Sequence, residues 1–153
     1  NDGWEFSSGD LWTLHLYFEN RDVATRLDEL IADPSKSVTD EYGGHERAGA
    51  LPEAAVAGLP ILLTECGGIG FGSYSDSDFS YGDIPESEEA LEQHIREITD
   101  MIDAAGSLQG FVWTQLTDIQ QEINGLLYFD RTPKLPLPTL RTIIKSVGRN
   151  LGD

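Results

Sequence analysis

Residues 60–65 read PILLTE, an almost unbroken apolar run that stops at a carboxylate, Glu65, and is followed after Cys66 by Gly67 and Gly68. A run of this kind, apolar at successive rather than alternate positions, is the pattern of a strand covered on both faces, as in a parallel sheet. Two further β-rich runs lie upstream and downstream of it, Asp10–Tyr17 (DLWTLHLY) and Leu108–Thr114 (LQGFVWT). Each run is followed by a helical pattern. The order strand, helix, three times over, predicts an α/β fold of parallel βα units rather than a sandwich or a helix bundle.

The helices are legible from their apolar spacing. Val23, Leu27, Leu30 and Ile31 fall on one face of a helix over about 21–32, with Asn20 placed to cap it. Leu91, Ile95, Ile98 and Ile102 recur at spacings of four, three and four, with Ser87 as the cap and Gly106 as the stop. Beyond a loop through Pro138, Leu140, Ile143, Ile144 and Val147 make a closing helix. Two stretches, Asp33–Leu59 and Gly70–Pro85, exceed ordinary βα connections. The second leaves the C-terminal end of a strand, where parallel α/β folds place their ligands. Its acidic part, SYSDSDFSYGD at 73–83, reads most simply as a solvated loop.

Composition narrows the partners. The 153 residues fit one domain, and 10 Lys+Arg against 27 Asp+Glu give a formal charge of -17, which repels phosphate backbones and anionic membranes. No nucleic acid or membrane partner is expected; an uncharged or cationic small ligand suits the charge better. No apolar run is long enough to span a bilayer and no signal-peptide order opens the chain, so a soluble chain is expected, the cytoplasm slightly favoured. The single cysteine, Cys66, excludes an internal disulfide and an all-cysteine zinc site. Opening on Asn1 and passing directly into Asp-Gly-Trp-Glu, the chain reads as a segment of a longer polypeptide.

Each strand run ends in groups an active site uses: His15 and Tyr17 on the first, Glu65 on the second, and Trp113, Gln115 and Asp118 on or past the third. On pattern alone each has a plainer reading: a solvated or salt-bridged carboxylate for Glu65, a satisfied core imidazole for His15, a core indole for Trp113, and loop caps for Asp118 and Glu122. Other chemistries fit worse. The glycines after Glu65 carry no Lys, so no phosphate loop is present, and no Gly-x-Ser-x-Gly elbow occurs. His15, His45 and His94 lack the short spacing of zinc ligands, and neither metal nor cofactor is expected.

Four motifs, NDGWE at 1–5, DLWTLHLY at 10–17, PILLTECGG at 60–68 and GFVWTQLTDIQQEINGLLYFDRTPK at 110–134, resemble the catalytic barrel of glycoside hydrolase family 2, which includes β-galactosidases, β-glucuronidases and β-mannosidases. The last motif is the most specific. The resemblance implies a partial (β/α)8 (TIM) barrel, from the end of strand five through helix eight, with residues 1–153 a single C-terminal piece of the catalytic domain. It implies hydrolysis of O-glycosidic bonds in β-linked sugars with retention, β-galactosidase-like. Glu65 takes the nucleophile's place, Trp113 that of a ring against the sugar, His15 that of a hydroxyl ligand and Tyr17 that of a donor to Glu65; Trp4, Asp118 and Glu122 are further substrate-site candidates. A retaining glycosidase needs a second carboxyl about 5–5.5 Å from the first. In the family it sits in an Asn-Glu pair ending strand four, and no Asn-Glu dipeptide occurs in this chain.

Two departures accompany the resemblance. Cys66 stands where the family commonly has an aromatic residue, and a buried, inert thiol is expected there. Glu122, Ile123 and Asn124 occupy the place of the Asn-x-Lys element of β-glucuronidases, which disfavours a glucuronide. The implied partners are a carbohydrate substrate and the N-terminal remainder of the same enzyme, since three or four barrel strands leave open edges that self-association or pairing must cover. By itself the chain is expected to be inactive. The rival expectation is a non-catalytic half-barrel or carbohydrate-binding remnant that self-associates.

Overall fold

The computed structural model describes residues 3–17, 23–39, 46–72, 75, 78–81 and 84–148; Asn1, the Asn20 cap and His45 lie outside them. The elements are β1 (Trp12–His15), α1 (Val23–Ala32), β2 (Ser37–Thr39), β3 (Glu46–Ala48), β4 (Ile61–Gly67), α2 (Glu88–Ala104), β5 (Leu108–Thr114) and α3 (Leu137–Ile144). The strands β1, β4 and β5 form one parallel sheet in that order, so the expected α/β alternation is what the chain adopts. A helix follows each strand because parallel neighbours can be joined only by a crossover.

The helices bury one apolar stripe each against the sheet. Leu27 and Leu30 of α1, Leu91, Ile95, Ile98 and Ile102 of α2, and Leu140 and Ile143 of α3 join Trp12, Leu14, Ile61, Leu63, Cys66 and Leu108 in a single core. At about 1.5–3 kcal/mol per fully buried side chain, α2 is the best anchored of the three. Its start is as read: the Ser87 hydroxyl accepts from the Ala90 N–H at 3.2 Å, and Glu88 and Glu89 occupy the first turn. Its end differs. Ala105, not Gly106, closes the helix, its N–H bonding the Ile102 and Met101 carbonyls at φ −81, so no left-handed glycine is needed. In α3 the helix starts at Leu137 and takes Pro138 into its first turn, where a missing N–H costs nothing; Val147 packs on the core from beyond the helix.

The stretch 33–59 contains structure the apolar pattern did not reveal, an antiparallel pairing of β2 with β3. Residues 3–6 lie between this hairpin and the outer edge of β1. The His15 N–H donates to the Gly3 carbonyl at 3.2 Å, and the Glu5 and Phe6 N–H groups donate to the carbonyls of Ala48 and Gly49. At the opposite edge, β5 has no strand partner among the described residues; Val112 within β5, and Leu116 and Ile119 beyond it, are exposed. No described helix is long and apolar enough to cross a membrane.

Candidate active site

The strand ends are brought together by register. His15 pairs with Glu65 across β1 and β4, and Cys66 pairs with Trp113 across β4 and β5. An irregularity decides where Glu65 points. Ile61 and Leu63 face the core, so strict alternation would send Glu65 in among the helices. Instead the pairing slips by one, from Leu14 opposite Leu63 to His15 opposite Glu65, and Cys66 takes the core position. A bulge of this kind re-aims a side chain at a sheet's functional end. Glu65 stays 37% exposed as a result, on the rim rather than in the core.

Two neighbours converge on one of its oxygens. The Tyr17 hydroxyl donates to Glu65 Oε2 at 2.6 Å, and His15 Nδ1 lies 3.3 Å from the same atom. Tyr17 also shares a hydrogen bond with the Thr114 side chain at the end of β5. Burial, then the bond to Glu65, push the Tyr17 phenol well above its ordinary pKa, so it is a donor over the whole neutral and mildly alkaline range. His15 is seated by Gly3: at φ +84, any Cβ there would run into the imidazole.

Trp113 stands next to this cluster. Its half-buried indole packs against the α-carbon of Gly67, its ring N–H is buried with no hydrogen-bond partner among the described residues, and Trp113 lines a cavity of about 10 Å³ together with Asn124 and Lys134. A space of that size matches a single water molecule. Trp4 is half-buried and packs on the core.

Asp118 belongs to a different arrangement. Its Oδ1 accepts from Lys134 Nζ at 2.7 Å and from the Gly125 N–H at 2.8 Å, and it is only 8% exposed. Lys134 Nζ also donates to the Ile123 carbonyl and sits over the Tyr128 ring. Asp118 thus ties the segment after β5 to itself, and the described contacts do not bring it to Glu65. Glu122 lies at the end of that segment with Oε2 3.4 Å from Gln115 Nε2. Cys66 is fully buried, as expected, and burial raises its thiol pKa to about 12.

Residues from the supposed solvated loop also reach the cluster. Tyr81 stacks on Tyr17 with ring centroids 3.9 Å apart and planes 5° from parallel, and Phe79 meets Tyr81 edge-on at 4.9 Å. Alternation of aromatics with Ser and Gly in that loop was the signal available. Among the described residues no group of His, Cys, Asp and Glu is arranged to hold a metal ion.

No protein-family model matches the chain, and no curated protein does. Solved structures do share its fold. A GH2 β-galacturonidase from Eisenbergiella tayi, bound to galacturonate, aligns with a TM-score of 0.54 at 20% identity, over 92% of this chain and 24% of its own. The β-glucuronidase of Ruminococcus gnavus aligns at 0.53 and 14% identity, over 89% of this chain and 22% of its own. A Lactobacillus rhamnosus β-glucuronidase gives 0.51 and 15%, with the same coverages of 89% and 22%. The chain spans less than a quarter of each of these proteins, and the likeness at these identities is one of α/β fold.

Proposed function

We propose that this chain is the C-terminal part of the (β/α)8 barrel of a family 2 glycoside hydrolase, and that its parent protein cleaves β-linked sugars with retention, Glu65 serving as nucleophile. The observation that carries this reading is Glu65 itself. It is turned off the core by a bulge at the C-terminal end of a parallel strand, with Tyr17 at 2.6 Å and His15 at 3.3 Å on one oxygen. The motif resemblance supports it, and so does the fold shared with GH2 enzymes.

In this reading Oε2 is held and Oε1 attacks. The Oε1 lone pair forms an ester bond to the anomeric carbon as the bond to the glycosidic oxygen breaks, and that oxygen takes a proton from a second carboxyl group carried by the N-terminal remainder of the parent. Water then displaces Glu65 with the same second group as base. Tyr17 keeps the carboxylate aimed, His15 meets a sugar hydroxyl, and Trp113, packed two residues from Glu65, walls the sugar site. In this reading the edge of β5 that has no strand partner among the described residues is where the remaining strands would close the barrel.

For the sugar we infer a neutral glycoside, galactoside-like. Asn124 stands in the place of the lysine of the Asn-x-Lys element, and Glu122 in that of its asparagine, so the cation that a glucuronidase would set against its substrate's carboxylate is missing. The test is a 2-deoxy-2-fluoro-β-galactoside on the full-length protein. Stoichiometric labelling of the peptide bearing Glu65 is the expected result. Labelling of another carboxylate would overturn the nucleophile assignment, and no labelling would favour the non-catalytic, self-associating remnant.

A further inference from the structure

Resting on the proposed nucleophile role of Glu65, we infer that Tyr81 is a positioning residue of the same site: stacked on Tyr17, its ring fixes the phenol whose hydroxyl aims Glu65. A 2.6 Å hydrogen bond is short and depends on the angle at which the donor ring is presented. Tyr17 follows the last residue of β1 by two positions, just past the Leu16 N–H that donates to the Glu65 carbonyl at 3.0 Å. The bonds to Glu65 and Thr114 hold the Tyr17 hydroxyl, and the parallel stack with Tyr81 fixes the plane of the ring that carries it.

Tyr81 is itself pinned on several sides. Its N–H donates to the Gly68 carbonyl at 3.1 Å, the Ser80 hydroxyl donates to the same carbonyl at 3.2 Å, and the Gly70 N–H donates to Ser80 Oγ at 2.8 Å. Gly68 lies beneath both rings at φ +70; a Cβ there would come within 2.7 Å of Tyr81 Cβ and 2.8 Å of Tyr17 Cδ1, so only glycine lets the stack close. Phe79 fixes the far edge of Tyr81. Its own backbone bridges to the segment after β5, the Phe79 N–H donating to Gln121 and the Ile123 N–H to Phe79. The loop after β4 therefore carries alignment from the β5 side of the sheet, through Phe79 and Tyr81, to Tyr17 and Glu65.

A double-mutant cycle in the full-length protein, assayed on an aryl β-galactoside, tests the inference. Y81A is expected to lower kcat about five- to tenfold with little change in KM, and never by more than Y17F does, while Y81F, which keeps the stack, restores kcat to within about twofold. In a Y17F background, Y81A is expected to change kcat by less than about twofold, because no hydroxyl remains to be aimed. A fold-only role would leave the same loss in both backgrounds, and a direct substrate contact would raise KM; either result overturns the inference. If E65Q is fully active, the nucleophile reading itself fails. If E65Q is dead and Y81A is unimpaired, only the role of Tyr81 fails.

Discussion

Tyr17 and Glu65, 48 positions apart, meet at 2.6 Å because β1 and β4 are parallel neighbours whose register slips by one residue just before His15. A hydrogen bond to an ionised group contributes about 1.5–3 kcal/mol, more than one between neutral partners. Y17F in the full-length protein is therefore expected to lower kcat/KM about 10- to 100-fold without loss of fold. Retention of full rate on an aryl glycoside would mean that the bond aligns nothing.

Replacement of the carboxylate is a sharper case. On the proposed nucleophile role, E65Q conserves shape but cannot form the ester, so turnover is expected to fall by about 10⁴-fold or more, the scale seen when a covalent nucleophile is removed. With Glu65 37% exposed at the rim, thermal stability should hardly move. Circular dichroism melting alongside the rate assay separates the two effects.

Much of this geometry is legible in the sequence, and the parts that are not have physical reasons. The parallel sheet follows from PILLTE, and the α2 register from Leu91, Ile95, Ile98 and Ile102, because apolar periodicity records burial. The bulge before His15 leaves no such trace, since one inserted residue alters pairing without altering composition. Asp118 was a fair ligand candidate by position, yet its partner Lys134 lies 16 residues on, and pairing at that distance has no local signature. Tyr81 and Phe79 were hidden among Ser and Asp in a loop whose overall polarity suggested only solvent.

The Asp118–Lys134 pair is expected to matter for stability. Side-chain exposures of 8% and 1% leave either charge uncompensated if the other is removed, a loss of about 3–5 kcal/mol. Denaturant unfolding of D118A should show it, and the double replacement D118L/K134M should recover a large part. Burial depresses the Lys134 pKa, and D118A removes the carboxylate that opposes that depression. A folded-state pKa below the unfolded value means the unfolded chain binds more protons as pH rises toward about 10.4, so D118A should regain stability on mild alkalisation. A D118A unfolding midpoint equal to that of the unmutated chain would show that the pair holds nothing.

Cys66 runs in the opposite direction. Its thiol is fully buried, Sγ lies 3.4 Å from the Val112 carbonyl, and burial lifts its pKa from 9.0 to about 12. Because the folded value is the higher one, its contribution is complete below pH 9 and is lost progressively as pH rises from 9 toward 12, with a slope approaching about 1.4 kcal/mol per pH unit. Tyr17, raised by burial and by Glu65, adds to the same alkaline loss above its ordinary value of 10.0. C66A should therefore flatten the fall in unfolding free energy above pH 9 without abolishing it, leaving the part due to Tyr17. The same burial predicts that an aromatic disulfide reagent at pH 8 modifies Cys66 only at the rate of unfolding. Fast, stoichiometric reaction with the folded chain, or an alkaline stability profile unchanged by C66A, would show that the thiol is not sealed behind β4 as the slip in register places it.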